Sequence, residues 1–232
     1  MITDAKNLIE TSILTSDGEV GSISDVYFDD STWLIRYLVV EIGDKIEPQH
    51  ALLAPEAFDK NALAQPKPLR TTISRAQIES CPPFKTFPAI TRSYKETVHH
   101  HYGWSAYWLD GSQINASEGD MIGPVREKEV DGDAIHLRTF KSLFGYRLNA
   151  SDGPVGKVSS LTIDTHKWKV AELVIETGNW FSGKQVLSLP ESIEHIDHHH
   201  STIHVALTKQ KIFDTRAHDV AQHNVASDCI HR

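Results

Sequence analysis

The stretch Ser16-Asp17-Gly18-Glu19-Val20-Gly21 returns as Ser151-Asp152-Gly153-Pro154-Val155-Gly156, an offset of 135 residues. The offset continues without a gap. Trp33 falls on Trp168, Leu38-Val39 on Leu173-Val174, Glu41 on Glu176, Gly43 on Gly178, Leu52 on Leu187 and Pro55-Glu56 on Pro190-Glu191. Between Ser16 and Glu56, 15 of 41 aligned positions are identical. A period this long is a whole domain, since solenoid and propeller repeats run roughly 20 to 50 residues. The chain therefore reads as two copies of one small module. The recurring residues are turn formers and strand apolars rather than nucleophiles, bases or metal ligands, so the repeat specifies a fold and leaves the activity open.

Each copy reads as β-structure. Asp17-Gly18 and Asp152-Gly153 lie between apolar segments, where Gly can take a positive φ and Asp can bond its own backbone, so each pair reads as a hairpin turn. Gly21 and Gly156 are grouped with these turns as fold-defining. In the strand that follows, Val20, Val26 and Phe28 share one parity and Ile23 the other. Val155, Val158, Leu161 and Ile163 repeat the switch, which points to a β-bulge. Turns are expected at 29–33 and 164–168. The next strands, 34–42 and 169–177, are apolar on both faces, as central strands are. Short strands around Leu52-Leu53 and Val186-Leu187 run into Pro55-Glu56 and Pro190-Glu191, each the first turn of a helix. Leu69, Thr71 and Ile73, and in the second copy Ile203, Val205 and Leu207, then alternate before short helices capped by Ser74 with Gln77 and by Thr208.

Composition narrows the function classes. The 232-residue chain has a formal charge of −8 and no run of Lys or Arg, which argues against a surface that tracks nucleic-acid phosphates. No segment approaches the 18 or so apolar residues of a membrane span, and the first residues lack a signal-peptide apolar core. Cys81 and Cys229 form no C-x-x-C pair and give no disulfide framework. The expectation is a cytoplasmic protein without a cofactor. No G-x-S-x-G elbow, H-E-x-x-H helix, Walker loop or G-x-G-x-x-G occurs, so no catalytic residue is assigned and an enzyme is not expected. The recurring carboxylates Asp29, Glu41, Asp164 and Glu176 read as turn and strand-face residues.

Two alternatives remain. The tracts His99-His100-His101 and His195 to His204 suggest a metal-binding or sensing protein. The first copy has Lys60 to Gln65 opposite His195 to His200, with no histidine, so no metal site is assigned. A small-molecule-binding protein or hydrolase would need a deep pocket with convergent polar groups.

Between the copies, residues 81–138 show no strand or helix period until Ala134. Tyr94, Tyr102, Trp104, Tyr107 and Trp108 fall within fifteen residues there. Tyr and Trp dominate binding hot spots. Tyr102, Trp104, Tyr107 and Trp108, with Trp180 and Phe181 of the second copy, are thus the candidate interface residues, and the connector rings are expected to be mostly buried at an interface. The tail 217–232 is polar and expected to pack loosely.

Asp17-Gly18-x-Val20-Gly21, the strand from Trp33 through Ile35-Arg36-Tyr37-Leu38-Val39-Val40-Glu41, and Ile73-Ser74-Arg75-Ala76-Gln77-Ile78 before Pro82-Pro83 resemble the PRC-barrel family, the fold of the cytoplasmic domain of the photosynthetic reaction centre H subunit. The second copy is similar to tandem bacterial members through Leu143-Phe144-Gly145-Tyr146, Asp152-Gly153-x-Val155-Gly156, the stretch Thr177 to Leu187, and Pro190. The resemblance implies a mainly β chain of two small PRC-like barrels with short helices, related by a pseudo-two-fold axis. The first would span 1–83 and the second 137–216, with 84–136 as an aromatic connector. It also implies a non-enzymatic protein-interaction or scaffold module that binds a protein partner or self-associates, for instance as a homodimer. In the first copy Asp44-Lys45-Ile46-Glu47-Pro48 replaces the Asn-Trp-x-x-Gly-Lys loop, so the two modules would not present identical surfaces.

Overall fold

The computed structural model describes residues 2–43, 48–59, 62–64, 68–84, 90–106, 136–177 and 185–214. The described chain is mainly β, with two sheets and few helices. In chain order the strands are β1 (Ile2–Asp4), β2 (Ser12–Thr15), β3 (Gly18–Asp29), β4 (Ile35–Ile42), β5 (Gln49–Leu53), β6 (Leu69–Arg70) and β7 (Leu137–Thr139). They continue with β8 (Arg147–Ala150), β9 (Gly153–Asp164), β10 (Lys169–Thr177), β11 (Gln185–Ser188), β12 (Ile193–Asp197) and β13 (Thr202–Val205). The chain divides into two compact units. The N-terminal unit holds Glu10–Thr32 and Arg36–Arg138, and the C-terminal unit holds Met1–Ile9, Trp33–Ile35 and Thr139–Arg232.

The N-terminal unit orders its sheet β5-β4-β3-β2-β6, with β7 pairing β3, and the C-terminal unit orders its sheet β11-β10-β9-β8-β13-β12, with β1 pairing β9. In both, the strand after the first hairpin is twelve residues long and the closing strand returns parallel to the first hairpin strand. Ile13 stands opposite Leu69 in one unit and Leu148 opposite Ile203 in the other. The one-residue slip in this closing pair is the slip visible in the sequence. The central strands are buried on both faces: Leu38, Val39 and Val40 are fully buried, as are Leu173 and Ile175.

The Asp-Gly hairpins form as expected. Gly18 has φ +118° and Gly153 φ +125°, the region where a Cβ is costly. Each turn aspartate also reaches the start of its unit's closing helix. Asp17 accepts from the Arg75 amide at the start of helix α1 (Arg75–Glu79), and Asp152 accepts from the Lys209 amide of helix 209–214 at 2.9 Å. The capping box of Ser74 and Gln77 is present, and the Thr208 hydroxyl accepts from the Lys211 amide.

The parity switch has a direct cause. Ile13 faces Gly21 and Leu14 faces Glu19, which leaves Val20 bulged; Leu148 faces Gly156 and Asn149 faces Pro154, which leaves Val155 bulged. A second bulge at Ser159, between the pairs Val174–Ser160 and Ile175–Val158, turns the strand again. Gly21 and Gly156 differ from expectation. They stand inside β3 and β9, not in turns, and a Cβ on them would lie 2.1 Å from the Glu41 carbonyl oxygen and 2.2 Å from that of Glu176.

The second turns also match between copies. Asp29 accepts from the Ser31 and Thr32 amides, both at 3.0 Å, and Asp164 accepts from those of His166 and Lys167 at 3.0 and 3.3 Å. Each turn ends on a left-handed tryptophan, Trp33 at φ 64° and Trp168 at φ 50°. That conformation costs a residue with a Cβ about 1 kcal/mol or more, and burial of each indole offsets it.

One element is unexpected. Helix α2 (Arg92–Tyr102) lies in the segment whose sequence shows no helical period. Its buried face is Lys95, Val98, His99 and Tyr102. Two of the four are polar, so a search for apolar residues at helical spacing passes over it.

Candidate functional site

In the N-terminal unit α2 gathers a cluster of polar and aromatic side chains. Thr91 caps its start, accepting from the Tyr94 amide at 3.3 Å. Its end is a Schellman motif: Gly103, at φ +73°, donates to the His100 carbonyl, and Trp104 donates to that of His99 at 2.9 Å. This reversal folds Trp104 back onto the helix. Its indole stacks on Tyr102 with centroids 4.3 Å apart and meets His99 edge-on at 5.7 Å.

His99 is only 3% exposed and lies between two partners. Its Nδ1 is 2.8 Å from the Ser105 carbonyl oxygen and its Nε2 is 2.9 Å from the Tyr37 hydroxyl of β4. A carbonyl only accepts, so Nδ1 carries the proton and Nε2 accepts from Tyr37. The neutral ring thus ties the loop after α2 to the sheet. Burial holds the His99 pKa below its ordinary value, with Lys95 adding to the effect and the Ser105 bond and Glu56 opposing it.

This arrangement has a consequence for stability. The unfolded chain binds a proton at His99 near pH 6.5, and the folded chain resists it. The stabilising difference is therefore fully present above about pH 6.5 and is lost as the pH falls from there toward the lower folded value. Urea midpoints measured from pH 7.5 to 5 should decline, and His99→Gln should flatten that decline. An equally steep decline in the variant would exclude His99 as its source.

The rest of the cluster is aromatic. Tyr94 donates to the Pro82 carbonyl at 2.8 Å and packs on Phe84, which meets Tyr27 edge-on. The Tyr102 hydroxyl is buried against the Cys81 thiol, a weak hydrogen-bonding group. Burial pushes the Tyr102 and Cys81 pKa values up, so neither is a ready nucleophile. Chemically, the cluster fixes α2 to the sheet. Among its described residues no activated nucleophile stands beside a base.

The candidate interface residues are therefore placed unevenly. Tyr102 is buried within its own unit and Trp104 is half-buried against it, while Tyr107, Trp108, Trp180 and Phe181 lie outside the described residues. The tail 217–232 and Cys229 also lie outside them. The aromatic density of the connector identified Tyr102 and Trp104. In the sequence His99 reads only as part of a histidine tract, Tyr37 only as a strand residue, and Lys95 carries no signal; a reading of Thr91 and Gly103 as the caps of a helix brings His99 and Lys95 onto one face.

Within neither histidine tract do three rings meet at one point among the described residues. His99 points inward, His101 lies 2.8 Å from the Gln77 carbonyl, and His100 is exposed. In the second tract His200 bonds Asp197 at 2.7 Å and holds that carboxyl down at about 2, His198 lies against Tyr146, and His195 stacks with His204. Among the described residues no group of three His, Cys, Asp or Glu side chains could hold a metal ion. No described helix is long and apolar enough to cross a membrane. No protein-family model matches the chain, and comparison with curated proteins gives no significant match.

Proposed function

We propose that the chain is a pair of small PRC-like barrels that acts in the cytoplasm as a non-enzymatic protein-interaction or scaffold module. The observation that carries this reading is what the two copies share. Asp17 and Asp152 bind the starts of the closing helices, Asp29 and Asp164 hold turns, and Gly21 and Gly156 make room for neighbouring carbonyls. The recurring residues are spent on backbone geometry, which favours a duplicated scaffold over a duplicated active site. The two parallel closing pairs and the bulged long strands suit sheets that curl toward closure. A buried free thiol at Cys81 fits a reducing compartment.

Side chains that differ between the copies are where a partner would be selected, and the aromatic residues Trp104, Trp180 and Phe181 are the first to test. Affinity capture from the native cell should enrich a partner with the wild-type chain. Trp104→Ala combined with Trp180→Ser and Phe181→Ser should lose it while the far-ultraviolet spectrum stays unchanged. A partner retained equally by the folded variant, or no protein enriched above background, would count against the reading.

A further inference from the structure

The duplication extends further back than its identities show. Adding 135 to β1 (Ile2–Asp4) gives β7 (Leu137–Thr139), residue for residue. Each is followed by a helical turn, Ala5–Asn7 capped by Asp4 and Phe140–Leu143 capped by Thr139. Each turn then reaches a left-handed residue, Glu10 at φ 66° and Gly145 at φ 84°. The next hydrogen bonds also correspond. Glu10 donates to Ile23 and Gly145 to Val158, while Ile23 donates to Thr11 and Val158 to Tyr146, all between 2.7 and 2.9 Å. β1 and β7 are thus the same strand of the same module.

They do not pair within their own copies. β1 lies antiparallel to the end of β9, with Ile2 opposite Asp164, Thr3 opposite Ile163 and Asp4 opposite Thr162, and Ser160 donates to the Asp4 carboxylate. β7 pairs with β3 of the first copy, where the Asp30 amide donates to the His136 carbonyl at 2.8 Å and Arg138 meets the Asp30 carboxylate at 3.1 Å. Each compact unit therefore contains the first strand of the other copy. This is the pattern of a domain swap, in which an identical element is exchanged between two protomers, here within one polypeptide.

We propose that the end of each long strand, Thr162–Asp164 in β9 and its counterpart Tyr27–Asp29 in β3, is a self-recognition edge whose ligand is the module's first strand. A second copy of this chain supplies that strand when it is not supplied in cis. The inference rests on strand pairing alone and is independent of the interaction reading above. In the native chain both edges are filled internally. A tethered strand acts at an effective concentration on the order of millimolar, so exchange between chains competes only when refolding takes place near that concentration.

The full-length wild-type protein tests this by nuclear magnetic resonance. Cross-strand amide and Hα contacts should connect Thr3 with Ile163 and its neighbours. Contacts of Thr3 with Phe28 and its neighbours instead would mean that β1 pairs within its own copy, and would overturn the proposal. Denatured labelled and unlabelled chains should then be mixed and refolded at about 10 µM and about 1 mM. At the higher concentration a dimer should appear on size exclusion, at least fivefold enriched over the lower, with isotope-filtered contacts from β1 of one chain to β9 of another. Monomer alone at both concentrations, or a dimer whose interchain contacts lie elsewhere, would overturn self-recognition at this edge.

Discussion

Gly156→Ala is expected to destabilise the protein by about 1 to 3 kcal/mol, and more if β9 and β10 cannot part. The added methyl would start 2.2 Å from the Glu176 carbonyl oxygen and 3.0 Å from the Ile175 side chain. The first obstacle is backbone, which cannot swing aside as a flexible side chain can. Relief requires the strands to separate where Thr177 is paired with Gly156. Gly21→Ala meets the same obstacle at 2.1 Å from Glu41 and should behave alike. The control is Gly103→Ala, where no described atom lies within 4 Å and only the left-handed φ is penalised, at about 1 kcal/mol. Urea denaturation decides the matter: a Gly156→Ala midpoint no lower than that of Gly103→Ala would refute the close-approach account.

The second large effect is expected at Tyr102, and its sign depends on which part of the side chain is removed. Tyr102→Ala deletes a ring that is 8% exposed, stacked on Trp104 and part of the buried face of α2. A loss of about 3 to 5 kcal/mol is expected, as for a buried large aromatic. Tyr102→Phe keeps the ring and removes only a buried hydroxyl whose side-chain partner is the Cys81 thiol, a weak hydrogen-bonding group. Desolvating that hydroxyl is a cost that Phe avoids, so the variant should be neutral or slightly more stable. Equilibrium denaturation of both variants is the measurement. A Phe variant that loses more than about 1 kcal/mol would mean that the hydroxyl makes a bond worth that amount.

The two hairpins, the bulge and the capped closing helices were legible because each depends on local chemistry: Asp-Gly for a positive φ, a parity switch for an extra residue, Ser74 with Gln77 for a helix start. Gly21 belongs to strand β3 and not to the turn, for a physical reason. A glycine three residues past a turn looks like part of the turn, and only the neighbouring strand reveals that its missing Cβ leaves space for a carbonyl. Helix α2 shows no apolar period in the sequence because its inner face carries Lys95 and His99, and the partner of His99, Tyr37, lies far along the chain. The equivalence of β1 and β7 is invisible in the letters, since Ile-Thr-Asp and Leu-Arg-Thr are identical at no equivalent position.

The pairing of Ile2 with Asp164 also sets a timetable for the ribosome. Synthesis at about 5 to 20 residues per second leaves the N-terminal strand waiting on the order of ten to thirty seconds before its acceptor has even been made. Through that interval the early product is an open half with a bare strand, and neighbouring nascent chains on one messenger hold the same pieces at the same stage. Nascent-chain crowding, rather than the finished protein, is then the setting in which chaperone capture or pairing between translation products would compete with correct closure.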